Sequence, residues 1–208
     1  MIVTRPAGQD AELAALLTAS GHEAVRCPLI AIEPLGDDPV EVEGYDWVVL
    51  TSANGARELL RRMRGTPRRV AAIGRATAAA FGRVDLVPRT ATQEGLLAEL
   101  PRPAGRVLVA AAEGARRLLV DELDADFVPL YRTVELRAEP SPRGDLAVLA
   151  SPSAARALAS LGAAVPVVTI GPETTREARA RGLDVRGEAS TQDAEGLVAA
   201  VERALEGR

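Results

Sequence analysis

The sequence is a pattern used twice. Ile73-Gly74-Arg75-Ala76-Thr77 returns 97 positions later as Ile170-Gly171-Pro172-Glu173-Thr174. Leu50-Thr51-Ser52-Ala53-Asn54-Gly55-Ala56-Arg57 is matched by Leu149-Ala150-Ser151-Pro152-Ser153-Ala154-Ala155-Arg156. Thr92-Gln93-Glu94-Gly95-Leu96 is echoed by Thr191-Gln192-Asp193-Ala194-Glu195-Gly196-Leu197, and Pro28-Leu29 by Pro129-Leu130. A unit this long, used twice, predicts two similar domains rather than a short-period solenoid. Clefts between domains are common ligand sites.

At 208 residues and 47% hydrophobic, the chain can bury one large core or two small ones. Aromatics are only 2%, so Ala, Val and Leu must build that core. All 25 basic residues are arginine. Lysine Schiff-base and lysine-base chemistry are thereby excluded, and any cationic contact to a ligand is a guanidinium. A net charge of −4 without a concentrated basic stripe argues against nucleic acid. The single cysteine, Cys27, allows no intrachain disulfide and fits a reducing compartment. With one histidine besides, a His/Cys zinc site cannot be assembled. That histidine, His22, follows Gly21 at a helix-to-strand turn and reads as a solvated side chain rather than a triad member. No apolar run approaches the ~20 residues of a membrane helix. Met1-Ile2-Val3-Thr4 reads as a strand and not as a leader. The expectation is a cytoplasmic protein with no membrane attachment.

Short apolar runs alternate with helical runs. Strands are predicted at 2–4, 24–27, 47–51, 70–73, 84–87, 107–110, 146–150, 167–170 and 185–186. Helices are predicted at 11–19, 54–63, 76–81, 94–100, 115–122, 154–161, 174–181 and 195–205. That alternation means an α/β fold with parallel sheets covered on both faces, five core strands to a domain. Pro28 to Pro34 and Pro129 to Leu136 read as extended. Each leads into a polar, proline-containing stretch, Gly36-Asp37-Asp38-Pro39 and Ala138-Glu139-Pro140-Ser141-Pro142-Arg143-Gly144, that reads as a linker. These linkers fall inside the repeats, so the chain either crosses between domains twice or splits in tandem near residue 103. Periodicity alone does not choose.

The sharpest motif is Ile-Gly-x-x-Thr after a strand. Glycine allows a close backbone approach, and the following helix start offers amides to an anion. Helix capping by Thr77 and Thr174 explains the same pattern. Thr51-Ser52-Ala53-Asn54-Gly55 and Ser151-Pro152-Ser153 lie at strand-to-helix junctions too. They suit carboxylates or phosphates, or they serve as N-caps, through Asn54 and Ser153 especially. Ala111-Ala112-Glu113-Gly114-Ala115 and Ser190-Thr191-Gln192 belong with them. No Walker or Gly-x-Gly-x-x-Gly loop is present. Tyr131, one of two tyrosines, lies on a predicted interdomain strand. Its hydroxyl is a candidate neutral proton donor, and a ring covering a hinge is the plainer alternative. Arg61-Arg62-Met63-Arg64 and Arg116-Arg117 read as solvated helix faces.

Taken together, Val3-Thr4-Arg5-Pro6, Thr51-Ser52-Ala53-Asn54-Gly55, Pro129-Leu130-Tyr131-Arg132-Thr133, Ser151-Pro152-Ser153-Ala154 and Ile170-Gly171-Pro172-Glu173-Thr174 resemble the uroporphyrinogen-III synthase family. The resemblance extends over nearly the whole chain. It implies two flavodoxin-like domains with parallel five-stranded sheets, joined by a two-stranded hinge. One domain would comprise residues 1–34 plus 137–208 and the other 38–130, with hinge segments at about 28–37 and 129–140. It implies cyclisation of linear hydroxymethylbilane to uroporphyrinogen III with inversion of ring D, through an azafulvenium and a spiro intermediate. It also implies a monomer working without cofactor or metal.

The open chain can cyclise unaided without inversion, so the implied task is conformational selection and exclusion of water from the cation. The substrate's eight carboxylates would meet backbone amides at helix starts. Carried over by motif, Tyr131 would assist loss of the hydroxyl. Thr51, Ser52, Ala53, Asn54, Gly74, Thr77, Ala112, Ser151, Ser153, Gly171 and Thr174 would bind substrate. A non-catalytic two-lobed module for an anionic small molecule shares the same fold. A phosphate or nucleotide-sugar transferase wants an acidic ligand at a strand end, which the linker pair Asp37-Asp38 does not supply.

Overall fold

A computed structural model of the chain describes residues 1–136 and 143–206. The chain begins with β1 (Ile2–Val3), α1 (Ala11–Ala19), β2 (Val25–Arg26), β3 (Ile30–Pro34), β4 (Val40–Glu41) and β5 (Trp47–Leu50). It continues through α2 (Ala53–Arg62), β6 (Met63–Arg64), β7 (Val70–Ala72), α3 (Arg75–Phe81), α4 (Gln93–Glu99), β8 (Val107–Ala112) and α5 (Leu118–Leu123). Then come β9 (Asp126–Glu135), β10 (Ala147–Leu149), α6 (Pro152–Ser160), β11 (Val167–Thr169), α7 (Pro172–Ala180), β12 (Val185–Glu188) and α8 (Ala194–Glu206). Two compact units result, one of Met1–Ala31 with Val134–Arg208, the other of Ile32–Thr133. The divisions fall within β3 and within β9, which are the segments that read as extended. The polar stretch at 137–142 lies outside the described residues.

In the first unit the sheet order is β12-β11-β10-β1-β2, every pair parallel. Its three central strands, β11, β10 and β1, are buried throughout because helices cover both faces. Ile2, Ala147, Leu149 and Val167 point into one core with α6 and α7. Their neighbours Val3, Val148 and Val168 point into the other with α1 and α8. The two-residue period of a strand thus fills two cores at once.

The second unit repeats the scheme with order β3-β9-β8-β5-β7. Val48, Leu50, Leu108 and Ala110 face one core; Trp47, Val49, Val107 and Val109 face the other. This sheet departs from the all-parallel expectation at its edge. Leu35 donates to the Leu130 carbonyl at 2.9 Å and Leu136 to the Leu29 carbonyl at 2.8 Å, so β3 runs antiparallel to β9. The strand expected at 84–87 reduces to one bridge, Ala71 with Leu86. A small parallel ribbon, β4 with β6, has no counterpart in the sequence reading.

The Thr-Gln echo has a steric origin. A Cβ at Gly95 would lie 2.0 Å from the Thr90 carbonyl oxygen, and one at Gly196 would lie 2.2 Å from that of Thr191. Neither contact is a flexible side-chain end, so each repeat needs glycine there. The Gly95 amide donates to Thr92 Oγ1 at 3.1 Å and the Gly196 amide to Asp193 Oδ1 at 2.8 Å, capping α4 and α8 alike.

Asp10 opens α1 and is 1% exposed. Arg26, at the end of β2, grips it through Nε at 2.5 Å and Nη2 at 2.6 Å. The guanidinium holds the Asp10 carboxyl below its ordinary value despite burial. A depressed carboxylate contributes stability that is present above the unfolded value of about 3.9 and is lost as pH falls through the folded one. Asp10→Asn is therefore expected to lower the unfolding free energy at pH 7. Denaturant titrations across pH should show the gap to the wild-type chain narrowing below about pH 4. A gap independent of pH contradicts this.

Candidate functional site

An open parallel sheet presents its ligand surface beyond the carboxyl ends of its strands, at the point where strand order reverses. In the second unit that point lies between β5 and β8. Ser52, just past β5, is extended and caps α2; its Oγ accepts from the Gly55 amide at 3.0 Å. The Tyr131 hydroxyl, from β9, lies 2.9 Å from the same Oγ. Tyr131 is 6% exposed, and its carbonyl accepts from the Glu113 amide past β8 at 2.8 Å. Gly55 lies close beneath the Ser52 hydroxyl and in ordinary contact distance of the Tyr131 ring. A Cβ there would stand 3.1 Å from Ser52 Oγ and 3.8 Å from Tyr131 Cε1.

This fixes the proton chemistry. Ser52 Oγ spends one lone pair on Gly55, leaving its own O–H and one lone pair for Tyr131 and a ligand. Burial pushes the Tyr131 hydroxyl above its ordinary value, and the Ser52 hydrogen bond opposes that shift. The phenol keeps its proton at neutral pH and can donate it.

In the first unit the order reverses between β1 and β10. Ser151 caps α6, accepting from the Ala154 amide at 3.2 Å, with Ser153 Oγ 3.1 Å away. Gly171 precedes α7 in extended backbone, and Pro172 occupies the first turn. Past the caps, the amides of Ala53 and Asn54 in α2, Ser153 in α6, and Glu173 and Thr174 in α7 sit where a helix supplies no acceptor. Such amides, at the positive end of the helix dipole, hold anions.

The remaining candidates divide by exposure. Thr51, Ser52, Ala53, Asn54, Ser151, Ser153, Gly74 and Ala112 are half-buried at strand ends. Thr77 and Thr174 are 4% and 2% exposed. They face inward, neither capping a helix nor offering a ligand much surface. Thr175 beside Thr174 bonds Thr169 Oγ1 at 2.6 Å and also Glu188. The caps expected of Asn54 and Ser153 belong to Ser52 and Ser151, two residues earlier. The readable signal was a hydroxyl three residues ahead of a small residue with a free amide. Asn54 Oδ1 instead accepts from Arg57 at 3.1 Å. Arg116 pairs with Glu94 at 2.9 Å, while Arg117 lies over the Phe127 ring. His22, expected to be solvated, is bound to Glu202 at 2.7 Å. Among the described residues no three of His, Cys, Asp and Glu gather as metal ligands, and no helix is long and apolar enough to cross a membrane.

The fold defines an open-sheet α/β protein whose helix starts gather at the carboxyl ends of the strands. A family model described as uroporphyrinogen-III synthase HemD matches residues 11–199, and the chain belongs to that family. A putative uroporphyrinogen-III synthase of Methanocaldococcus jannaschii is 28% identical over 149 residues, 65% of this chain and 62% of that protein. Uroporphyrinogen-III synthase of Synechococcus elongatus is 27% identical over 158 residues, 64% of this chain and 60% of that one. The match thus spans about three-fifths of these relatives' lengths. Among solved structures, a mutant uroporphyrinogen III synthase of Thermus thermophilus aligns with TM-score 0.65 and 18% identity, covering 100% of this chain and 98% of that one. Uroporphyrinogen-III synthetase of Helicobacter pylori aligns with TM-score 0.63 and 16% identity, covering 100% and 99%. These structural likenesses establish the fold.

Removing either serine cap should be felt locally. Ser52→Ala and Ser151→Ala are each expected to cost about 1 kcal/mol in urea unfolding, because each strands a helix amide. Asn54→Ala and Ser153→Ala are expected to cost less than half of that.

Proposed function

We propose that the chain is a uroporphyrinogen-III synthase, closing hydroxymethylbilane into uroporphyrinogen III with ring D inverted. Family membership over residues 11–199 supports the reading. The single structural observation that carries it is the buried, protonated Tyr131 hydroxyl, 2.9 Å from Ser52 at a strand-order reversal. In the proposed reaction Tyr131 donates its proton to the departing hydroxyl. The C–O bond breaks, water leaves, and the pyrrole nitrogen lone pair forms the azafulvenium. The substituted carbon of ring D attacks to give the spiro intermediate. That bond system fragments and recloses at the free carbon, whose proton is lost and whose equivalent restores the phenol.

Each unit has helix starts that suit carboxylates in this proposal. The amides past Ser52, Ser151 and Gly171 take the substrate's carboxylates, so no lysine is required. We also propose that the units act as two flavodoxin-like domains, residues 1–34 with 137–208 and residues 38–130. The order β12-β11-β10-β1-β2 supports this, since the chain's own sequence of strands within that unit then reads 2-1-3-4-5 from the other edge. The protein is proposed to act as a cytoplasmic monomer without cofactor or metal.

The test is a coupled assay in which hydroxymethylbilane is generated with and without the chain and the oxidised porphyrin isomers are separated. Isomer III is expected with the chain and isomer I without it. Tyr131→Phe is expected to lower kcat roughly 10²-fold with little change in KM, the lower range for loss of a general acid. Isomer I alone from folded protein overturns the proposal.

A further inference from the structure

The two units repeat one scheme but differ in charge where that scheme meets solvent. In the second unit α2 and α3 follow adjacent strands, since Leu50 of β5 pairs with Ala72 of β7, and the two helices pack on one another. Both start at the carboxyl edge of the sheet. Arg57 is exposed in the second turn of α2, and Arg75 is exposed as the first residue of α3. Helical side chains lean toward the amino end of their helix. Arg57 does so, its Nη1 donating to Asn54 Oδ1 at 3.1 Å. Leu86 bridges Ala71 in parallel, so the chain beyond it runs to the same edge. Arg89 is exposed there, two residues before Ala91, whose Cβ would lie 3.3 Å from one added at Gly74.

Three guanidiniums thus stand at one edge, and none is matched by a carboxylate. Arg57 holds only the neutral Asn54 amide. Among the described residues the side chains of Arg75 and Arg89 have no hydrogen-bond or ion-pair partner. Arginines elsewhere in this unit are answered. Arg61 pairs with Glu58 at 2.6 Å and Asp37 at 2.5 Å, and Arg68 with Asp46 at 2.8 Å. Arg62, expected to be solvated with its neighbours, is 9% exposed and donates to the Asp38 carbonyl at 2.8 Å. Arg64 and Arg83 also lack an acid, but they follow the far ends of α2 and α3, at the opposite edge. The acids at the carboxyl edge leave its charge in place. Glu94 is held by Arg116 at 2.9 Å, and Glu113 follows β8, on the other side of β5 from β7.

The first unit does not repeat this. Arg156, the counterpart of Arg57, has Glu135 at 3.9 Å and Glu177 at 3.7 Å. The counterpart of Arg75 is Pro172. Thr90 crowds Gly95 as Thr191 crowds Gly196, which makes Ser190 the counterpart of Arg89.

We propose that Arg57, Arg75 and Arg89 form a carboxylate-binding rim, which gives the second unit the charge-driven share of substrate binding. The identity of that substrate rests on the synthase reading above. The amides past Ser52 orient a carboxylate at short range, while the guanidiniums attract from further away and bind through planar forks. Exposed pairs contribute little singly and weaken as salt screens them. The rim therefore acts on KM and leaves the chemical step alone.

The test is a fluorescence titration with uroporphyrin III, a polycarboxylate that requires no turnover, across a range of salt concentrations. Arg57→Gln, Arg75→Gln and Arg89→Gln are each expected to raise Kd roughly two- to fivefold, and the triple variant roughly tenfold or more. The triple variant is also expected to show a shallower salt dependence. Arg64→Gln and Arg83→Gln remove the same charge from the opposite edge and are expected to bind like the wild-type chain. In the coupled assay KM is expected to rise with Kd while kcat holds. Wild-type affinity and salt dependence in the triple variant overturn the rim even where isomer III forms. Equal losses in the Arg64 and Arg83 variants overturn it too, since net charge alone then accounts for the effect, as does failure of the wild-type chain to bind. Loss of affinity confined to the rim variants, with no isomer III from any chain, upholds the rim and overturns only the synthase reading.

Discussion

A parallel sheet buried on both faces has its polar backbone committed to ladders everywhere except at strand ends. All strands of such a sheet point one way, so each hands its chain to a helix at the same edge. That edge collects helix starts, and helix starts carry unpaired amides. The apolar runs Ile2–Val3, Trp47–Leu50, Val107–Ala111 and Ala147–Leu149, buried to within a few per cent, impose this geometry on both units. An edge of unpaired helix-start amides follows from core composition before any particular side chain is considered. Duplication then gives the chain two such edges.

The side chains refine what the backbone provides. Ser52 caps its helix and meets Tyr131 with the same oxygen, and Gly55 lies close beneath that oxygen. Burial keeps the phenol protonated, which makes it a donor and not a base. The chain has no lysine and its one histidine is tied to Glu202, while a neutral phenol lies at a strand-order reversal. Glu173, in the first turn of α7, is paired with Arg176, so its negative charge is partly answered within the helix.

Much of this was legible in the sequence because it is periodic or chemical. Alternating apolar runs located the core strands and most helices to within a residue or two. The repeat marked the matching helix starts, and composition marked the arginine-only chemistry. What was hidden depends on contacts between distant residues. Ser52 and Tyr131 were both singled out, yet 79 positions separate them and nothing in the sequence joins them. The reversal of β3 against β9 is set by pairing of an edge strand, which has no local signature. Arg62 reads like its neighbours Arg61 and Arg64, and only the packing of α2 against the sheet turns it inward. Asn54 and Ser153 are good caps by propensity, but the junction geometry puts Ser52 and Ser151 at the turn.

The central claim is that the main-chain amides past the strand ends, in each unit taken by itself, suit a carboxylate. Hydrogen exchange of the chain with and without uroporphyrin III, a stable polycarboxylate of the product's shape, addresses it most directly. Slowed exchange is predicted at helix-start amides, Ala53 and Asn54 in one unit or Ser153, Glu173 and Thr174 in the other, with the amino ends of the strands unaffected. No slowing at any of these amides while the ligand binds contradicts the account.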